Sequence, residues 1–88
     1  MKKTNTYRTQ EIHLCSLLLS KIENSSFTIE NPDVPHKFLL FKYPQDKSRD
    51  LSRIIDSFKN KSAEVNLFQY NYYLFRVRNA IRGIDRRV

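Results

Sequence analysis

The residues best equipped for chemistry lie together near the end of the chain. In YNYYLFRVRNAIRGIDRR, residues 70–87, three tyrosines and a phenylalanine run into Arg76, Arg78, Arg82, Arg86 and Arg87. A guanidinium fork matches the oxygens of a phosphate, and an exposed aromatic ring offers a platform on which an unpaired base stacks. This stretch therefore predicts phosphate contact by the five arginines, with Tyr72 and Phe75 as stacking groups. The same composition also suits a purely structural helix. Arginines at a helix C-terminus offset its dipole, and Phe75 on such a helix packs equally well against a second subunit.

The charge distribution favours an anionic partner. The formal net charge is +7, and it resides at the two ends. Lys2, Lys3 and Arg8 stand unopposed in residues 1–8, and the five C-terminal arginines face only Asp85. Between them, eight basic residues meet eight acidic ones. A neutral body with basic ends fits DNA or RNA held through its backbone, with Lys2, Lys3 and Arg8 assisting the C-terminal arginines. No pattern of residues encodes base readout, so such binding is expected to be nonspecific and sensitive to salt. Charged ends that serve solubility alone are the simpler alternative.

Other chemistry lacks its residues. His13 and His36 are the only histidines and Cys15 the only cysteine, which leaves no ligand set for structural zinc. The single glycine, Gly83, follows the apolar pattern of its helix and does not precede one, so the usual phosphate-cradling loops are absent. Asp50 and Asp56 are six apart and diverge around a helix, and His13 and Cys15 are two apart and diverge likewise. Cys15 lies among leucines, as a buried thiol does, and one cysteine makes no intramolecular disulfide. The expectation is a protein that is not an enzyme, with no cofactor, no metal and no small-molecule substrate. Neither a membrane-spanning run nor a secretory leader is evident, which predicts a cytoplasmic protein with no membrane partner.

The elements that position these residues follow from periodicity. Ile12, Cys15, Leu18, Leu19 and Ile22 mark one face of a helix over residues 9–23, widened by Leu14 and Leu17. Thr9 is its expected N-cap, and Asn24 supplies a left-handed cap in place of glycine. SFTIENPDVPHKFLLFKY reads as a β-hairpin whose second strand, Phe38 to Tyr43, is apolar on both faces. After Pro44, with Asp46 or Ser48 as cap, Leu51, Ile54, Ile55 and Phe58 mark an amphipathic helix running to Lys59. The last helix starts at an Asn66 cap with Gln69 at its third position. Leu67, Tyr70, Leu74, Val77, Ile81 and Ile84 form its inward seam.

Taken in order, YRTQEIHLCSLLL, KFLLFKY, IIDSFKNKSAEVN and YNYYLFRVRNAIR resemble a family of small prokaryotic and mobile-element domains of unknown function. Members pass from a Y-x-T-x-[DE] lead into an apolar helix, then a hairpin, a second helix and a basic last helix with spaced tyrosines. The likeness covers Tyr7 to Arg82. This chain departs from it in carrying KIENSS where a glycine is expected after the first helix. The resemblance implies a fold and no activity or site residues.

The resulting expectation is a single small α+β domain over residues 9–84, in the order α-β-β-α-α, with the hairpin packed against helices and a long C-terminal helix. Residues 1–8 form a basic arm and 85–88 a basic tail. The function expected is nonspecific nucleic-acid binding by that last helix. The alternative is a homodimeric interaction module without nucleic acid, suggested by the doubly apolar strand, the broad first helix and the heptad seam.

Overall fold

The computed structural model describes residues 3–30 and 37–83, and its order is β-α-β-β-α-α. Strand β1 spans Thr4–Thr9, helix α1 Ile12–Lys21, β2 Ser26–Glu30 and β3 Phe38–Pro44. A single 3₁₀ turn, Gln45–Lys47, leads into α2, Ser48–Lys59, and α3 spans Leu67–Arg82. The α+β class, the hairpin against helices and the long last helix agree with the sequence.

The first strand does not. Residues 4–8, assigned above to a basic arm, and Thr9 pair antiparallel with β3 and complete a three-stranded sheet of order β1-β3-β2. An isolated hairpin is marginal in water, and β1 removes that difficulty within one chain. Both outer strands run antiparallel to β3 and therefore parallel to each other, so β1, α1 and β2 form a β-α-β unit with β3 inserted between its strands. TNTYRT gives little apolar alternation, because only Tyr7 of its inward set is a large apolar residue.

Alternation along β3 sorts the core. Leu39, Phe41 and Tyr43 are buried on the helix side, where Tyr7 and Phe27 flank Phe41 and Thr9 and Ile29 flank Leu39. Helix α1 lies across them with Leu14, Cys15, Leu17, Leu18 and Leu19 all buried, as its broad apolar girth requires. On the opposite face, Phe38 is covered from within the chain. Arg8 extends over it, its guanidinium carbon 3.4 Å from the ring centroid and its Nε donating to Glu30 Oε1 at 2.7 Å.

The helix ends differ in detail from expectation. Helix α1 begins at Ile12, and Thr9 closes β1 while its hydroxyl accepts from the Glu11 N–H at 3.0 Å. Asn24 takes the left-handed conformation, with φ of 61°. The 3₁₀ turn occupies the place of an Asp46 or Ser48 cap, and the Ser48 hydroxyl donates back to the Gln45 carbonyl. Helix α2 ends in a paired cap, Lys61 N–H to Phe58 O and Ser62 N–H to Ser57 O, with Lys61 left-handed at φ 60°.

This packing sets a clear contrast between two phenylalanines. Phe41→Ala removes a fully buried ring and is expected to cost about 3–5 kcal/mol, whereas Phe68→Ala on exposed α3 should stay within about 0.5 kcal/mol. Urea unfolding followed by circular dichroism measures both, and comparable losses would contradict the arrangement.

Candidate nucleic-acid interface

Helix α3 begins where the sequence places it. The Asn66 side chain accepts from the Gln69 N–H at 3.1 Å, and the helix closes at Gly83, which takes a left-handed φ of 71°. Its inner line consists of Val77, fully buried, with Tyr70, Tyr73, Leu74 and Ile81 partly buried. Tyr70 joins α3 to α1, its hydroxyl 2.8 Å from His13 Nδ1 and the two rings stacked. Burial pushes the Tyr70 phenol up from its ordinary value, and the nearby positive charge of Arg78 opposes that rise.

The inward seam is shorter than expected. Leu67, expected in it, is 63% exposed. Ile84 lies outside the described residues. The same turn carries Phe68, 86% exposed, which with Tyr72 and Phe75 at 56% and 66% makes an aromatic stripe at spacings of four and three. Phe68 is not among the residues expected from the sequence to stack. The i, i+4, i+7 pattern it begins was visible, but on an apolar-rich helix that pattern reads as core.

Three predicted cations flank this stripe. Arg76, Arg78 and Arg82 are all exposed. Arg76 and Arg78, two apart, leave the helix on opposite flanks, with Arg78 on the Tyr70 side and Arg76 beside β2. Arg76 donates to the Tyr72 hydroxyl at 3.2 Å and sits 5.6 Å from that ring. None of the three forms an ion pair among the described residues, and α3 itself contains no carboxylate.

The N-terminal cations lie elsewhere. Arg8 is on the sheet face away from the helices, committed to Glu30 and Phe38, so it is not gathered with the α3 arginines. Lys3 is exposed, and its carbonyl accepts from the Gln45 N–H at 2.9 Å. Lys2, Arg86 and Arg87 lie outside the described residues. Among those described, no cluster of three metal-ligating side chains occurs, and no helix is long and apolar enough to cross a membrane.

Comparison with family models, curated proteins and solved structures finds no match to this chain. The interface is therefore read from its own geometry.

Cys15 lies at the centre of the core, and burial pushes its thiol up to about 12. The unfolded thiol releases its proton from about pH 9, while the folded one holds it to about 12. Folding stability from this group is therefore complete below pH 9 and lost as pH rises toward 12. The stability of the wild type relative to Cys15→Ala should be flat below pH 9 and fall above it. Denaturant titrations at pH 7 to 11 test this, and an aromatic disulfide reagent at pH 8 should label the thiol only on unfolding.

Proposed function

We propose that this protein is a non-enzymatic, cytoplasmic nucleic-acid-binding domain whose ligand is single-stranded and lies along α3. The carrying observation is the stripe of Phe68, Tyr72 and Phe75 on a helix that has no carboxylate of its own and three arginines without an ion pair among the described residues. Rings held outward in water stack on unpaired bases, which duplex DNA does not present. Arg78 and Arg82 reach for the backbone beside them. The contacts read phosphate and base faces, so sequence preference is weak and affinity falls with salt.

Labelled single-stranded DNA and RNA and duplex DNA, titrated at several salt concentrations and followed by fluorescence anisotropy, test the assignment. Arg78→Ala with Arg82→Ala should reduce the logarithmic salt slope by about 1.4, at roughly 0.7 per single-strand phosphate. Phe68→Ala with Tyr72→Ala should weaken binding by about 1–3 kcal/mol per stacked base and leave that slope unchanged. Equal affinity for duplex, or affinity untouched by both pairs, would refute the reading.

A second reading is favoured by the start of α3, where Leu67 and Phe68, with Val65 just before the helix, are all exposed. Apolar side chains so placed suit a homodimer in which two α3 helices cover one another. Sedimentation equilibrium decides it: the dimer dissociates in Leu67→Lys with Phe68→Lys, and a wild-type monomer at high micromolar concentration excludes it.

A further inference from the structure

Strand β2 ends the sheet, and among the described residues nothing pairs with its outer edge. Beside that edge runs a groove whose other wall is α3. Its largest part, about 570 Å³, is lined by Phe27 and Ile29 on the strand side and Phe75, Arg76, Asn79 and Ala80 on the helix side. It continues past Ser26 and Tyr73 toward Gln69 and the end of α1. From Gln69 to Ala80 the helical wall measures about 16 Å, and the five residues of β2 extend over about the same length.

We propose that this groove is a peptide-docking site: it receives an extended segment of another protein, paired with β2, with a carboxylate side chain opposite Arg76. An edge strand presents unmet N–H and C=O groups in register for one more strand, and a helix set beside it supplies walls for alternate side chains. Apolar residues of the guest meet Phe27, Ile29, Phe75 and Ala80. Arg76 is the one charged residue lining the 570 Å³ part of the groove, Lys21 and Glu23 lying at its far end by α1, and it has no carboxylate partner among the described residues, so it selects an acidic residue between the apolar ones.

Charge also argues for a different chain over a second copy of this one. Self-pairing would bring β1 or β2 to the groove. TNTYRT has no carboxylate, and the only one in SFTIE, Glu30, is engaged by Arg8. Neither strand gives Arg76 a free counter-charge.

Selection of a displayed random peptide library on the full chain is expected to yield sequences alternating apolar and other residues around a central Asp or Glu. For a synthetic peptide of that consensus, replacing the central acid by lysine should weaken binding at least tenfold. Arg76→Glu should reverse that preference, so a variant that has merely lost its fold is distinguished from one that has changed its specificity. Amide exchange should slow at residues 26–30 on binding. A selection without an acidic alternating consensus overturns the proposal, as does a preference unmoved by Arg76→Glu. Exchange protection confined to the outward face of α3 overturns it too, as does protection of residues 26–30 by the protein alone at high concentration, which would assign the edge to a second copy.

Discussion

The structure depends on one strand that is apolar on both of its faces. FLLFKY cannot lie on the surface of a sheet without exposing either Leu39 and Phe41 or Phe38 and Leu40, so it must be central and covered twice. Two flanking strands satisfy its backbone, and α1 covers the first pair of side chains. The second cover is thinner. Arg8 spans from β1 to Glu30 on β2 and closes over Phe38, so one side chain shields an apolar ring and links both edges of the sheet. The ion pair is partly exposed and contributes little by itself. Its value lies in where it holds the guanidinium.

That use of Arg8 changes the electrostatic reading. From the sequence, Arg8 belongs with the other terminal cations, because charge counts carry no information about which side of a sheet a residue faces. Once residues 4–9 become a strand, alternation puts Arg8 away from the helices, whereas Arg76, Arg78 and Arg82 remain on the helical layer. A charge excess split between chain ends need not produce one patch.

Long-period features were legible and short polar ones were not. The faces of α1 and α2, the strand in FLLFKY and the Asn66 cap follow from repeated apolar spacing or a specific hydrogen-bonding side chain. Left-handed Asn24 was legible for a local reason, its short amide. Lys61 was not, since nothing in its side chain favours φ of 60°, and that turn is imposed by the paired cap of α2. Strand β1 was hidden because its neighbours supply the burial that its own Thr and Asn residues do not signal. At the candidate site, residue types were legible while sidedness was not. Val77 is the one fully buried residue of α3, and which of its other apolar residues are covered depends on the elements packed against it, which no local pattern encodes.

The exposed face of α3 concentrates the functional possibilities on one element. Its inner line packs against α1 and the core, and the three exposed aromatic rings on its other side do nothing for solubility. Its outward stripe and its β2 flank are chemically distinct: one sets rings beside arginines that form no ion pair among the described residues, the other sets a strand edge beside Arg76. They meet at Phe75, which belongs to the stripe and also lines the groove. A base and a peptide side chain that each took that ring as their platform would compete for it. By linkage, a ligand that fixes Phe75 for one surface weakens binding at the other by an equal factor. A domain with room for one exposed helix can thus present two surfaces on it, but the shared ring makes them alternatives.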